Sequence, residues 1–338
     1  MGEKKSRSLR SRILLVVVNV VSLASLVWTL RDAHLGEFKD DLASMSWWWV
    51  GLAVVADVCV YLWHGLRWQT LLRPVVRLKY WEPVRAIYVG LFANEVLPFR
   101  AGEVLRCYLL ARNPQLPLSV SLTSGLIERI MDGIWLSLCI VLMLRWTPIP
   151  RALRYLVDGG YVLGIAVLVV GMLVAIAMYL PHRTHAALAG TGWQKQFRVL
   201  MDDLELIGHS GSLVASFLQS LLYLLMMVIP IFATFRGYGF DLPLEAAFAL
   251  MVILRLGTVV PQAPGNLGLF QFLVKESLVK IFNVVPDEAA RFSLLLWGIV
   301  TLPLLIAGAI SLGVTEAKLA ELNEAAQAET SQIANSQR

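Results

Sequence analysis

The amino-acid sequence predicts an all-α polytopic membrane protein built from two structurally repeated halves. First, 57% of the 338 residues are apolar and only 16% are charged, whereas about a quarter of the residues in a soluble domain are charged. Second, apolar runs long enough to cross a hydrocarbon core recur along the chain. Third, two further apolar stretches are interrupted by proline and glycine at matching places in the two halves.

Each predicted membrane span consists of about 20 residues of mostly apolar sequence, the length that a bilayer core requires. Tryptophans flank the second span at Trp47 and Trp68, which suits the aromatic belts at the two membrane interfaces. The predicted spans are 13–30, 47–71, 118–144, 159–180, 211–235 and 290–314.

A single transmembrane domain is expected over residues 1–315, followed by a cytoplasmic tail over 316–338. The first apolar run is longer than the core of a signal peptide and lacks a small-residue cleavage site, so we expect it to be retained as a span. The polar segment 183–209 is expected to lie as a helix on the membrane surface. The tail begins with helix formers and is expected to fray towards its end.

The two halves share few identical residues. What repeats is the pattern of apolar segments and the position of the helix-breaking proline and glycine within it. Aligning Pro98 with Pro261 also brings two glycines into register. The halves, about 10–145 and 155–315, would each contain three membrane spans and one broken, re-entrant helical hairpin. Three crossings per half is an odd number, so the halves would be inverted. Segments that cross fully would instead make the repeats parallel.

Basic residues favour a cytoplasmic N-terminus. Five Lys or Arg residues lie within the first 12 positions, and five more lie within 67–85, the loop expected after the second span. Basic residues further along the chain give conflicting indications, because some favour the re-entrant model and others favour the fully spanning model. Both models place the C-terminus in the cytoplasm as well.

The first interrupted stretch, GLFANEVLPFRAGEVLRCYLLAR, places charged residues where a bilayer disfavours them. Pro98 lacks an amide proton, so the entering helix should break, and a second half-helix should start near Gly102. That helix start exposes unpaired amide groups, which together with Arg100 and Arg106 suit an anionic group such as a lipid phosphate. Glu103 precedes Arg106 by three residues and is expected to pair with it. A purely structural ion pair is the alternative.

The span at 118–144 carries three charged residues, Glu128, Arg129 and Asp132. Glu128 and Asp132 are four residues apart, so they share a face of the helix. Such charges must turn away from lipid, and we expect them to meet the arginines of the first hairpin or a polar cavity. A helix end near the interface, where Arg129 reaches the surface, is the alternative. A proton relay through Glu128 or Asp132 is a further option without direct support.

The second interrupted stretch, RLGTVVPQAPGNLGLFQ, places polar residues in apolar surroundings. Its Pro-Gly-Asn-Leu-Gly core predicts a turn followed by a new helix start. In inverted halves this start would face the first one, and one pocket would be lined by two positive helix ends, arginines and amides. A plain loop between spans is the alternative. The residues that this stretch would contribute are Arg255, Gly265, Asn266 and Gln271.

The second span also carries polar residues. Asp57, His64 and Arg67 lie on or near this span, and Asp57 and His64, which are seven residues apart, share a face of the helix. They either contribute to the cavity or make a local polar contact.

Several function classes lack support in the sequence. It contains no Walker loop, Gly-x-Ser-x-Gly elbow, zinc-ligand pair or dinucleotide fingerprint, so neither a cofactor nor a metal is expected. The basic residues are spread among loops, which argues against nucleic-acid binding. Any transport would be passive, driven by an ion gradient, or driven by consumption of the product.

At these motifs the chain resembles the transmembrane region of lysylphosphatidylglycerol synthases, a family of flippase-like integral membrane proteins. The resemblance covers most of residues 10–315 and implies a domain that translocates lipids or lipid-linked intermediates between leaflets. The soluble synthase domain of the bifunctional members is not expected here, nor is its activity. Gln271 stands where the resemblance would suggest a glutamate, which weakens proton coupling at the second hairpin. The matching residues are Asn94, Leu97, Pro98, Arg100, Gly102, Glu103, Arg106, Glu128, Arg129, Asp132 and 264–268.

The leading hypothesis is translocation, without catalysis, of an anionic phospholipid or a polyprenyl-phosphate-linked intermediate across the cell membrane. One alternative is a membrane-embedded lipid or glycan transferase with Glu103 or Asp132 as base; another is a non-transporting scaffold of an envelope lipid or glycan pathway. The residues assigned to head-group binding are Asn94, Arg100, Glu103, Arg106, Arg255, Gly265, Asn266 and Gln271. Those assigned to a charge network are Glu128, Arg129, Asp132 and Asp57. No oligomeric state is predicted.

Overall fold

The computed structural model describes residues 19–31, 33–96, 101–147, 193–208, 211–257 and 264–336, together with 159, 162, 164–166 and 168–173. Throughout these residues the regular secondary structure is helical and no strand is present. The predicted all-α class is therefore confirmed.

The helices differ widely in length, from 7 residues in the shortest to 51 residues in the longest. Short 3-10 turns at Leu35–Glu37 and Pro264–Asn266 separate some of them. In chain order the helices are α1 Asn19–Leu30, α2 Phe38–Ser44, α3 Trp47–Leu72, α4 Trp81–Val96, α5 Gly102–Leu110, α6 Leu118–Trp146, α7 Gly164–Leu173, α8 Trp193–Gly208, α9 Gly211–Met226, α10 Val228–Tyr238, α11 Leu244–Gly257, α12 Leu269–Phe282 and α13 Pro286–Ser336.

Among the described residues, three helical stretches are long and apolar enough to cross a membrane: α3, the pair α9–α10, and Pro286–Thr315 of α13. They correspond to three of the predicted spans. Helix α6 has 29 residues but is less apolar because it carries a cluster of charges. Helices α1 and α7 are shorter apolar helices, and most of the rest of their predicted spans, 13–30 and 159–180, lies outside the described residues.

Apolar side chains on two of these helices form exposed stripes with helical spacing. On α9, Val214 and Leu218 are 60% and 58% exposed, and Leu222 continues the row one turn later. On α13, Ile306 and Ile310 are 61% and 62% exposed. In water such stripes would cost roughly 25 cal/mol per Å² of apolar surface, so they are suited to contact with lipid tails.

Glycine lets α4 and α5 pack closely against each other. A Cβ atom added at Gly102 would overlap the carbonyl oxygen of Gly90 and lie 2.7 Å from the Asn94 Oδ1 atom. Helix α13 approaches α4 in the same way, because a Cβ atom at Gly308 would lie 2.8 Å from the carbonyl oxygen of Tyr88. The backbones of these helices are therefore held at a separation that only glycine permits.

Helix α8 packs its apolar face onto the bundle. Its Met201, Leu204 and Ile207 are buried against α3 and α6, in a cluster that also contains Trp68. The polar segment 183–209 was predicted to be a helix on the membrane surface. The structure places a helix over its second part, whereas its first part lies outside the described residues.

The C-terminal tail begins as a helix, as its sequence predicted. Helix α13 continues without interruption through Ser336. The reason is its composition, because the tail is rich in Ala, Glu, Gln and Leu, which are strong helix formers.

Candidate functional site

A cavity of about 190 Å³ lies between the helices. Its apolar wall comes mainly from α11, α12 and α13, whereas α3 to α6 supply most of its charged and polar groups. The polar residues that line it are Asp57, Tyr61, His64, Asn94, Glu95, Glu103, Arg106, Arg129, Tyr223, Arg255, Asn266 and Thr301.

Glu128 of α6 is the centre of an ion-pair network beside this cavity. Its carboxylate is fully buried and accepts hydrogen bonds from Arg67 of α3, at 2.9 Å from Nη2 and 3.2 Å from Nε. Its other oxygen accepts a hydrogen bond from Nη1 of Arg106 of α5 at 3.0 Å. The His64 Nε2 atom lies 3.3 Å from the same carboxylate. One buried charge thus joins three helices, and its partners offset the cost of desolvation.

Arg67 is fully buried and makes further contacts. Its Nη1 atom pairs with the Asp132 carboxylate and donates to the Ser220 hydroxyl at 3.0 Å. Its guanidinium also lies over the ring of Tyr223, 4.8 Å from the centroid. From the sequence, Arg67 was counted among the basic residues of 67–85 but was also placed on or near the second span, and the structure has it on that span. Helix α3 continues to Leu72, and Arg67 packs inside the bundle rather than facing water.

A more open part of the network reaches the cavity wall. The Glu103 carboxylate lies 3.1 Å from Arg106 Nε, the pair that their spacing predicted, and 3.4 Å from Arg129 Nη2. Arg129 Nη1 lies 3.9 Å from the Asp132 carboxylate. The Arg129 side chain is 43% exposed and that of Glu103 is 33% exposed. These two side chains are therefore accessible from the cavity, whereas the centre of the network is not.

Arg255 of α11 and two buried groups of α3 form another polar part of the wall. Arg255 Nη2 donates a hydrogen bond to the Tyr223 hydroxyl at 2.8 Å, and its guanidinium lies over the Tyr223 ring at 5.2 Å. Asp57 is 6% exposed, and its Oδ2 atom has no hydrogen-bond partner within the described part of the chain. His64 is 3% exposed, and its Nδ1 atom lacks a partner there too.

The two interrupted stretches meet at the cavity. Asn266 Nδ2 donates a hydrogen bond of 2.6 Å to Glu95 Oε1, near the end of α4. Gly265 and Asn266 have left-handed backbone angles, with φ of 76° and 52°, and the Gly265 carbonyl accepts a hydrogen bond from Trp297 Nε1 at 2.8 Å. Gln271 Oε1 accepts a hydrogen bond of 2.7 Å from the Gly268 backbone amide and so caps the start of α12.

Comparison with known families adds to this geometry. The model of the lysylphosphatidylglycerol synthase TM region matches residues 13–308. The chain belongs to this family. The resemblance found at the sequence motifs is thereby confirmed, and the protein is an integral membrane protein of a lipid-related family.

A relative of the chain carries a general description. A UPF0104 membrane protein of Methanothermobacter thermautotrophicus is 21% identical over 281 residues, which make up 75% of this chain and 81% of the relative. No solved structure matches the chain. The matching family and this relative are thus both described as membrane proteins.

In this member of the family, most of the residues predicted for the site lie together. Predicted residues that line the cavity are Asn94, Glu103, Arg106, Arg255, Asn266, Arg129 and Asp57. Glu128 lies behind the wall and holds the arginines in place. Arg100 lies outside the described residues. Gln271 is fully buried, and its oxygen is bonded to a backbone amide. Gly265 contributes a turn and a carbonyl rather than a side chain.

The prediction omitted several groups that the structure brings to the site. Glu95 and Tyr223 were not assigned to it, and Arg67 was named only as a residue of the second span that could contribute to the cavity, although each contacts an assigned residue. A signal was present for Arg67, because it lies three residues after His64 on a helix and therefore on nearly the same face. The sequence offered no comparable signal for Tyr223, since its role depends on the packing of α9 against α3 and α11.

Proposed function

We propose that the protein moves the anionic head group of a lipid, or of a lipid-linked intermediate, between the two leaflets of the membrane. The observation that carries this proposal is a charged cavity enclosed by helices whose outer faces are apolar. Ionisable groups are expensive inside a membrane and are usually retained for function. The family match supports a lipid as the ligand class.

Two arginines are the best candidates to hold the phosphate. Arg129 is 43% exposed at its side chain, and its ion-pair contacts within the described part of the chain are long, at 3.4 and 3.9 Å. Arg255 also lines this cavity. Planar guanidinium groups bind phosphate oxygens through pairs of hydrogen bonds. Arg106 is only 3% exposed and is bonded to Glu103 and Glu128, so it positions the network instead of holding the lipid.

The interrupted stretches are proposed to be re-entrant hairpins. Helices α4 and α5 have 16 and 9 residues, which corresponds to lengths of about 24 and 14 Å at 1.5 Å per residue. Helices α11 and α12 have 14 residues each, or about 21 Å. All four are shorter than a hydrocarbon core of about 30 Å. The contact between Asn266 and Glu95 fits two hairpins that meet from opposite faces in inverted halves.

The hairpins would also direct two helix N-termini towards the ligand. Helix α5 begins at Gly102 and α12 begins at Leu269, each directly after an interrupted stretch. Unpaired amides at such starts favour anions. The apolar wall from α11 to α13 would let the lipid tails stay in hydrocarbon while the head group crosses. Both termini of the chain would lie at the cytoplasmic face, where the basic N-terminal residues are favoured.

The test is transport by the purified protein in liposomes. Phosphatidylglycerol with a fluorescent head-group label is placed in both leaflets, and an impermeant reductant is added outside. Transport makes the label of the inner leaflet accessible, so protein-containing liposomes should lose more fluorescence than protein-free liposomes. Arg255→Gln and Arg129→Gln should slow this loss. Arg236→Gln is the matched control, because Arg236 pairs with Asp241 away from the cavity.

The outcomes separate the possible functions. Protein-dependent transfer without any new lipid species in mass spectra supports translocation. A new lipid product would indicate a transferase, and neither transfer nor product would indicate a scaffold; either result overturns the proposal. Because an arginine variant can fail by misfolding, each variant is compared with wild type for its yield and its elution as a single species in detergent.

A further inference from the structure

Asp57 differs in its hydrogen bonding from the other carboxylates in and beside the cavity, of which Glu95 accepts a hydrogen bond from Asn266. Glu103, Glu128 and Asp132 each pair with an arginine at short range. Asp57 is 6% exposed and lines the cavity, yet its Oδ2 atom has no hydrogen-bond partner in the described part of the chain. A buried polar group without a partner calls for a physical explanation.

Desolvation explains which form of Asp57 this site suits. An ionised carboxylate without hydrogen-bond donors is costly in a medium of low dielectric, whereas the protonated acid is neutral. The nearby side chains on α3 and α4 are the phenols Tyr61 and Tyr88. The Tyr88 hydroxyl is directed to the Val58 carbonyl at 3.4 Å. Burial among these groups therefore favours the neutral acid of Asp57, and only a nearby positive charge would favour its carboxylate.

One cation of the cavity opposes this preference. Arg255 lines the same cavity, and its positive charge acts on Asp57. The helices packed around α3 bring the following charged or titratable groups towards the cavity: Tyr61 and His64 of α3, Tyr88 and Glu95 of α4, Glu103 and Arg106 of α5, Glu128, Arg129 and Asp132 of α6, Tyr223 of α9 and Arg255 of α11. Most of the charged groups in this set are already balanced by an opposite charge.

We propose that Asp57 is a proton-binding site that couples movement of the anionic head group to a proton gradient, an inference that rests on the proposed function. A phosphate bound at Arg255 cancels the positive charge that favours the Asp57 carboxylate. A proton from water then binds Asp57 Oδ2. After the phosphate leaves on the other side, the charge of Arg255 acts again, and the O–H bond breaks to return the proton to water.

Coupling of this kind is reciprocal, since a phosphate that promotes proton binding is itself bound more tightly when Asp57 is protonated. A monoanionic lipid and a proton together carry no net charge. The distribution of the lipid between leaflets should therefore respond to a pH gradient and not to a membrane potential.

The experiment measures this distribution in liposomes. Wild type is reconstituted with fluorescent phosphatidylglycerol in sodium-free buffer, the membrane potential is clamped with a potassium ionophore, and a gradient of one pH unit is imposed. One proton per lipid makes this gradient worth about 1.4 kcal/mol, which corresponds to an inner-to-outer ratio shifted about tenfold. Asp57→Asn keeps the shape but cannot titrate, so any lipid that it moves, at whatever rate, should show no shift. Asp241→Asn, a carboxylate that is 95% exposed at the surface, is the matched control and should behave as wild type.

Each outcome has a clear meaning. A shift in wild type that is lost in Asp57→Asn supports the proposal. A shift retained in Asp57→Asn, no shift in a wild type that transports, or a shift that requires sodium overturns the coupling and leaves the proposed function intact. A wild type that does not transport overturns both.

A second measurement does not depend on transport. Calorimetric titration of the detergent-purified protein with dihexanoyl phosphatidylglycerol, in two buffers of different ionisation enthalpy, reports the protons taken up on binding. Wild type and Asp241→Asn should take up protons, and Asp57→Asn should bind with no uptake. Binding by wild type without proton uptake would overturn the proposal. This readout also identifies an Asp57→Asn protein that fails to fold, because such a protein would not bind.

Discussion

Replacing Glu128 by Gln should be among the most damaging single changes in the bundle. Glu128 is fully buried and is the shared partner of Arg67 and Arg106, with His64 at its edge. Glutamine keeps the size of the side chain but removes the negative charge. Its amide nitrogen would also bring a hydrogen-bond donor towards a guanidinium, which has only donors. Two buried positive charges would then lose their common counter-charge.

The contacts that remain limit the expected loss. Arg67 keeps Asp132 and Ser220, and Arg106 keeps Glu103. Breaking a buried pair by removing one partner costs about 3–5 kcal/mol, so Glu128→Gln should lower the free energy of unfolding by about this amount. Adding Arg106→Gln removes part of the excess positive charge, and the double variant should recover about 0.5–3 kcal/mol relative to additivity.

Reversible unfolding in mixed detergent micelles, titrated with sodium dodecyl sulfate and followed by circular dichroism, measures this loss. Glu276→Gln is the matched control, because Glu276 pairs with Lys280 on α12 at 2.7 Å, and the Lys280 side chain is 48% exposed. Its effect should stay below about 1 kcal/mol. If Glu128→Gln and Glu276→Gln unfold at the same concentration of sodium dodecyl sulfate, the network does not stabilise the bundle, and the account of its centre is wrong.

Three further changes test other parts of the structure, each measured by the same unfolding titration. Gly102→Ala should cost about 1–3 kcal/mol because the added methyl overlaps α4, whereas Gly51→Ala, with nothing within 4 Å of its Cβ position, should be neutral or slightly stabilising. Asn266→Ala should cost about 2–4 kcal/mol, since it removes the bond to Glu95 and puts alanine in a left-handed conformation. Arg291→Gln should cost about 1–3 kcal/mol and speed proteolysis of the segment before α3. The reason is that Arg291 pairs with Glu37 and Asp41 in that segment and with Asp287 on α13.

Each of these expectations has a contrary result. Equal unfolding of Gly102→Ala and Gly51→Ala would mean that α4 and α5 are not in close contact. Asn266→Ala with wild-type stability would mean that the two interrupted stretches do not depend on each other. Unchanged cleavage of Arg291→Gln would mean that this arginine does not anchor the chain before α3.

The features that sequence reasoning predicted best are those set by local geometry. Glu103 and Arg106 pair because residues three apart on a helix are neighbours. The Pro-Gly-Asn-Leu-Gly run predicted a turn and a helix start. The structure has left-handed Gly265 and Asn266, followed by α12 from Leu269. Both inferences need only a few consecutive residues, so they did not depend on how the helices pack.

Contacts between distant segments could not be read from spacing. Glu95 and Asn266 are 171 positions apart, and Arg67 and Glu128 are 61 apart. Their pairing depends on which helix faces pack together, which the sequence did not specify.

The most direct test of the central claim is an electron cryo-microscopy map of the protein in nanodiscs with phosphatidylglycerol. The account predicts density for a lipid phosphate inside the cavity, within hydrogen-bond distance of Arg129 or Arg255, with the tails running along α11 to α13. Well-resolved lipids only on the outer faces of the helices, with water alone between these arginines, would contradict it.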